Sequence, residues 1–202
     1  SKSLGNFFTV REVLPRLRPE VLRAFLLASH YRGPINYTED NVRQADAALQ
    51  RLYLALRGVT PAAAYQPGEA TAAFRAAMDD DFNTPEALAA LLPGARALNI
   101  ARAAGDTVRA GALAAELRGL GANLGLLQHD PEGWLATRSE LMAAAGGEPQ
   151  QLEPAAIEAM VARRSAARKG RDWAESDRIR DELAAHGVVL EDGPAGTSWR
   201  WR

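Results

Sequence analysis

Residues 154–202 read PAAIEAMVARRSAARKGRDWAESDRIRDELAAHGVVLEDGPAGTSWRWR, and a change of pattern inside this stretch decides how the chain ends. Two helices are predicted near 154–169 and 173–186, parted at Gly170. Asp172, with Glu175 three residues on, has the spacing of an N-cap and its reciprocating acid. Beyond the second helix, Val188-Val189-Leu190 and Thr197-Ser198-Trp199-Arg200-Trp201 flank Asp192-Gly193-Pro194-Ala195-Gly196. That is a strand, a glycine-bearing turn and a second strand. Residues 154–202 therefore read as a small α+β module closed by a two-stranded hairpin. Trp199 and Trp201 alternate onto one strand face, where shared packing on the helices is expected.

Upstream, residues 129–153 contain Gly146-Gly147, Pro149 and two Gln, and read as a linker holding one short helix. Before it, apolar residues recur at three- and four-residue steps, the signature of amphipathic helices. Val21, Leu22, Phe25, Leu26 and Ser29 give one buried face through Tyr31, after Pro19 at a first helical position and before the stop at Gly33-Pro34. Thr38 is an N-cap for a helix carrying Val42, Ala45, Leu49, Leu52, Tyr53 and Leu56, closed by Gly58. Residues 69–79 read as helical, and Asn83-Thr84-Pro85 restarts a helix at Glu86 that Pro93 is expected to kink or interrupt. Leu113, Leu117, Leu120, Leu124 and Leu127 mark another helix. Residues 19–128 thus form an up-and-down helical bundle, and the chain is mainly α. Residues 1–18 precede it, with Thr9 and Glu12 at capping-box spacing for a short helix.

Composition narrows the function classes. The 202 residues are 47% hydrophobic, enough for a core, and no apolar run approaches a membrane span. With no secretory start either, the cytoplasm is the expected location. Cysteine is absent, and His30, His129 and His186 are scattered, so neither a disulfide framework nor a metal site is expected. The net charge of −1 does not announce a nucleic-acid binder, but its distribution is uneven. Residues 163–180 hold seven basic side chains against three acids, enough to track a phosphate backbone locally or to form a solvated helix face.

Two groups of residues carry chemistry. SKSLGN at 1–6 can wrap the phosphates of a nucleotide, with Lys2 as a compact positive charge between Ser1 and Ser3, and Gly5 allowing a close turn. At the other end, Trp173 and Asp177 are four apart and share a helix face. Arg168 lies across the Gly170 turn from Trp173, and Asp192 lies in the hairpin turn. An unstacked RNA base needs a π surface and hydrogen-bonding partners at its edge, which tryptophan, arginine and carboxylates supply. The same spacing also allows Trp173 as core, Asp177 paired with Arg180 or Arg178, and Asp192 as a turn residue. Elsewhere, His30 sits where it could cap a helix C-terminus. Asp79-Asp80-Asp81-Phe82-Asn83-Thr84-Pro85 looks like a helix-joining loop. Arg23, Arg32 and Arg43 suit either an RNA backbone or plain solvent.

SKSLGNFFTVREVL resembles the end of the KMSKS loop and the following helix of class I aminoacyl-tRNA synthetases. LRAFLLASHYRGPINYTEDNV, FRAAMDDDFNTPEALAAL and RSAARKGRDWAESDRIRDELAAHGVVLEDGPAGTSWR extend the match, in order, to the C-terminal half of the bacterial cysteinyl-tRNA synthetase family. The resemblance implies a DALR-type tRNA-binding bundle followed by an anticodon-binding module. It implies that Lys2, flanked by Ser1 and Ser3, is the ATP-contacting lysine, and that Arg168, Trp173, Asp177 and Asp192 contact the anticodon. For the intact enzyme it implies ATP and Mg²⁺, zinc in an N-terminal part, tRNA(Cys) as partner, and a monomer. The chain opens on Ser1, without the first Lys and the Met of KMSKS, so it is expected to be a piece lacking its N-terminal catalytic domain and inactive alone. Three other readings stand beside this one. They are a cysteine ligase of mycothiol synthesis, which has no tRNA to read; a free-standing RNA-binding module; and a protein-binding adaptor.

Overall fold

The computed structural model describes residues 9–137, 152–193 and 196–201. Among them, nine helices precede one antiparallel hairpin. The chain divides into two compact units, residues 1–134 and 135–202.

In the first unit, α1 (Val10–Val13) is opened by a complete capping box in which Thr9 and Glu12 satisfy each other. α2 (Pro19–Leu27) starts on its proline and ends four residues before the expected Tyr31. The early stop coincides with a long-range contact: Thr84 Oγ1 donates to the Leu27 carbonyl at 2.7 Å, taking an acceptor at the helix end. Leu26, within the helix, is exposed, and Glu20 is on the buried face. His30 caps no helix; its Nδ1 accepts from the Arg32 amide at 3.3 Å and its ring stacks on Tyr31. α3 (Glu39–Leu56) is capped by Thr38 and buries the expected stripe from Val42 to Leu56.

α4 (Glu69–Asp79), α5 (Thr84–Ala103) and α6 (Thr107–Asn123) complete the bundle, with α5 packed on α3, α4 and α6. The expected break at Pro93 does not occur, and α5 is continuous. Ala87, Ala90, Leu91, Gly94, Ala95, Leu98 and Ala101 form one buried stripe across the proline, so packing on both sides holds the helix together. Pro93 itself is exposed, and Gly94 sits so near α6 that a β-carbon would lie 3.0 Å from Leu117 Cδ2. α6 stops at Asn123, so Leu124 and Leu127 are buried in the turn that follows rather than on the helix.

Two buried carboxylates pin the bundle. Glu116 Oε1 on α6 accepts from Gly68 N–H (2.8 Å), Thr71 N–H (2.9 Å) and Thr71 Oγ1 (2.7 Å), capping α4 from another helix. A β-carbon at Gly68 would stand 2.7 Å from Glu116 Oε2, so this contact needs glycine. Glu20 accepts from the Tyr53 hydroxyl through both oxygens and from the Leu127 amide at 2.6 Å. Burial, followed by the Glu20 charge, pushes the Tyr53 hydroxyl well above the usual tyrosine range. The Tyr53 ring stacks on Trp134 at 4.3 Å, and the Arg18 guanidinium lies over the same indole while pairing with Asp46. Trp134 lies on α7 (Pro131–Ala136), the short helix expected in the linker; residues 138–151 of that linker lie outside the described residues.

The second unit contains α8 (Pro154–Lys169), α9 (Trp173–Ala185), β1 (Val188–Gly193) and β2 (Gly196–Trp201). Its core is Ile157, Ile179, Leu183, Val188 and Trp201, with Met160, Val161, Leu190 and Trp199 packed against it. Trp199 and Trp201 share a face as expected and meet edge to face at 5.8 Å. The Trp201 indole also donates to the Ala136 carbonyl at 3.0 Å. The ladder is longer than expected: it runs to Gly193 opposite Gly196, so Asp192 stands in β1 opposite Thr197 rather than in a turn.

Candidate nucleic-acid interface

Three inner faces of the C-terminal module change character at the same end. On α8, the stripe Ile157, Met160, Val161 continues at helical spacing into Arg164 and Arg168. On the hairpin, alternation carries the face of Val188, Leu190, Trp201 and Trp199 to a last rung of Asp192 and Thr197. On α9, Leu183, Ile179 and Ser176 lead back to Trp173, the first helical residue. Each element is apolar where it meets the others and carries an arginine, a carboxylate or an exposed indole where the core runs out.

The turn between α8 and α9 is tightly made. The Asp172 amide donates to the Ala167 carbonyl at 2.9 Å, six residues being closed into one loop, and Arg171 occupies the left-handed conformation at φ +60°. Glycine was expected to mark this stop, and Gly170 does precede it, but its φ is −78°. The Asp172 side chain then accepts from the Glu175 amide, as its spacing predicts. This turn leaves Trp173 60% exposed, so it is not core. Arg168, Lys169 and Arg171 are exposed around it, and Lys169 and Arg171 make no ion pair among the described residues.

Asp192 is the centre of the ionic cluster. Arg164 grips it with two parallel bonds, Nη1 to Oδ1 at 2.9 Å and Nη2 to Oδ2 at 3.0 Å. Arg168 Nη1 donates to Oδ2 at 2.8 Å, and Thr197 Oγ1 donates to Oδ1 at 2.6 Å. Hydrogen bonds from Arg164 and Thr197 hold the Asp192 carboxyl far below the usual carboxylate range. The same Arg164 pair raises the guanidinium, with a further upward contribution from the charge of Asp177. Asp177 is itself bonded to Arg180 at 3.0 Å, the pairing its spacing allowed. Glu175 lies between Arg178 and Arg163, whose bonds lower its carboxyl to about 2.

Of the residues expected from sequence, Arg168 and Asp192 are in direct contact, Asp177 lies within electrostatic reach of their cluster, and Trp173 stands exposed at the turn beside Arg168. Ser1, Lys2 and Ser3 lie outside the described residues. Arg164 was missed: it was counted among the basic residues of 163–180, yet it is buried and bonds Asp192 twice. Its signal was present, since Arg164 and Arg168 are four apart on the stripe begun by Ile157. No group of three potential metal ligands occurs among the described residues, and no described helix is long and apolar enough to cross a membrane.

Comparison with known proteins identifies the domains of the chain. The cysteinyl-tRNA ligase anticodon binding domain matches residues 152–200, the DALR domain matches 73–128, and the class I (C) tRNA synthetase catalytic domain matches 1–47. The cysteine–tRNA ligase of Alkalilimnicola ehrlichii is 57% identical over 202 residues, covering 99% of this chain and 42% of the relative. Those of Halorhodospira halophila and Azotobacter vinelandii are 56% and 53% identical over 200 residues, covering 99% of this chain and 41% of each relative. The chain spans about two fifths of the length of these curated relatives, aligned from end to end of its own sequence. On its three matched domains and these identities, the chain belongs to the cysteine–tRNA ligase family.

Proposed function

We propose that this chain holds and reads tRNA(Cys) for a cysteine–tRNA ligase, with the bundle at 19–128 supporting the tRNA body and the module at 154–202 reading the anticodon, joined by the 129–153 linker. One observation carries the reading: the inner faces of α8, α9 and the hairpin run out together into Arg168, Trp173 and Asp192. An exposed indole beside Lys169 and Arg171, which make no ion pair among the described residues, is what an unstacked base and its phosphate require. Trp173 is the stacking platform, Arg168 and Asp192 supply donors and acceptors at a base edge, and Asp177 adds a second carboxylate. A carboxylate near RNA costs affinity for phosphate and gains discrimination, because it accepts from base N–H groups and repels misplaced phosphates.

In the whole protein, ATP and Mg²⁺ would serve cysteinyl-adenylate formation, with Lys2 as the ATP-contacting lysine flanked by Ser1 and Ser3. Zinc would belong to an N-terminal part. The 202 residues alone are expected to be inactive, monomeric and cytoplasmic. A ligase with no tRNA to read has no use for an anticodon-binding module, and neither a free-standing RNA-binding module nor an adaptor has any for a synthetase catalytic-domain segment, so none of the three alternatives is favoured.

The test is binding of the chain to tRNA(Cys) and to the same tRNA with its anticodon replaced, each at two salt concentrations. Weaker binding to the replaced RNA is expected. Equal affinity for both would remove anticodon reading from 154–202, and no salt-dependent binding to either would remove the tRNA function altogether.

A further inference from the structure

We propose that Arg164 is a positioning residue for anticodon discrimination: the fixed partner of a carboxylate, Asp192, whose other two partners exchange for RNA. This inference rests on the reading of residues 154–202 as the anticodon-binding module.

An ionised carboxylate offers about four acceptor positions, and Asp192 uses four: two for Arg164, one for Arg168 and one for Thr197. A base N–H arriving at Asp192 must therefore displace a bond already there. The occupants are not equivalent. Arg164 has 9% of its side chain exposed and holds both oxygens, whereas Arg168 has 44% exposed and holds one. Removing the buried fork would strand a charge away from water, while releasing Arg168 returns it to solvent or gives it to an RNA acceptor. Displacement thus falls on Arg168 and Thr197, and frees one donor for the RNA as it frees one acceptor position for the base.

Arg164 Nε is buried and has no partner among the described residues, so the Asp192 fork is what orients the guanidinium. The fork in turn fixes the plane of the carboxylate, which decides where its exchangeable positions point. A lysine would keep the charge and lose this geometry.

The experiment compares Arg164→Lys, Asp192→Asn and the double variant of the chain, with thermal unfolding confirming the fold. The readout is the ratio of Kd for anticodon-replaced tRNA to Kd for tRNA(Cys). Arg164→Lys is expected to lower this ratio on the order of ten-fold, and to do nothing further in the Asp192→Asn background. Equal weakening of both RNAs, or a full additional loss in the double variant, would show a merely structural or independent role and overturn the proposal. Should Arg164→Lys fail to fold, Thr197→Val tests the same division of labour, because an exchangeable partner is dispensable. The ratio is then expected to stay within about two-fold, and a ten-fold loss would overturn the proposal. A ratio of one for the unsubstituted chain would remove the anticodon reading itself, before any variant is measured, and this inference with it.

Discussion

The bundle and the C-terminal module treat their charges in opposite ways. The bundle takes single carboxylates inside: Glu116 caps α4 from α6, and Glu20 fastens the turn at Leu127 to Tyr53. The module, with a core of five buried residues, keeps Glu175, Asp177 and Asp192 at its rim, and of the arginines paired with them only Arg164 is buried. Interior polar groups fix where elements end, since each buried donor must find its acceptor. Rim pairs contribute little to stability but remain within reach of a ligand. The difference separates a scaffold from a surface open to a ligand, and each side of it can be broken.

The largest effect is expected from Trp201→Ala, which removes the biggest side chain of the small core and should cost the module about 3–5 kcal/mol. Chemical denaturation followed by circular dichroism should then show an early transition for the module and an unshifted one for the bundle. A single shifted transition would mean that the two units unfold as one. Glu116→Ala works in the other direction. It leaves the amides of Gly68 and Thr71 without their buried acceptor, and should lower the bundle's transition by about 2–4 kcal/mol. A shift confined to the module would reverse the assignment of roles.

Trp173→Ala sharpens the contrast within the module. Exposed at the start of α9, it should change stability by less than about 0.5 kcal/mol, while RNA affinity falls by about 1–3 kcal/mol if a base stacks on it. Filter binding and thermal unfolding on the same preparation decide this. A loss of stability equal to that of Trp201→Ala would make Trp173 a core residue after all. The smallest effect is the response to acid. Asp192 and Glu175 have folded-state pKa values below their unfolded ones, Glu175 at about 2. Their contribution is therefore present above the ordinary carboxylate range near pH 4, and is lost as pH falls from there toward 2. Tryptophan fluorescence titrated from pH 5 to 2 should show the module loosening, and Asp192→Asn should flatten that dependence. An unchanged titration would remove Asp192 from the account of module stability.

What was legible in the sequence was local. The capping box at Thr9, the caps at Thr38 and Asp172, and the stripe of α3 all depend on residues three or four apart, and formed as read. The reciprocating bond expected from Glu175 did not form, because the Asp172 amide donates to the Ala167 carbonyl and the Glu175 carboxylate accepts from Arg163 and Arg178. What was not legible depends on distant partners. Thr84 meets the end of α2 across 57 residues, Glu116 caps α4 across 45 and 48, and Gly68 is a glycine because of that carboxylate. Pro93 does not interrupt α5 because its missing amide weighs less than a buried stripe continuing past it. At the candidate site, Trp173 and Asp177 were placed by helical spacing, and Arg168 and Asp192 by resemblance. Arg164 escaped because it was counted with a run of basic residues rather than placed on the apolar stripe begun by Ile157.

Arg171 bears on how this surface can drift. It holds a left-handed backbone angle that costs an ordinary residue about 1–2 kcal/mol, at a position where glycine would cost nothing. The equivalent six-residue turn after α5 does use glycine, at Gly105. Random substitution at 171 should therefore find glycine or asparagine easily and gain stability from it, while β-branched residues are purged. A cation that persists there under neutral mutation would have to be retained by selection on the RNA side, at the steady expense of the fold. In a library of residue-171 variants, growth that depends on charge while thermal stability favours glycine would expose those two pressures separately.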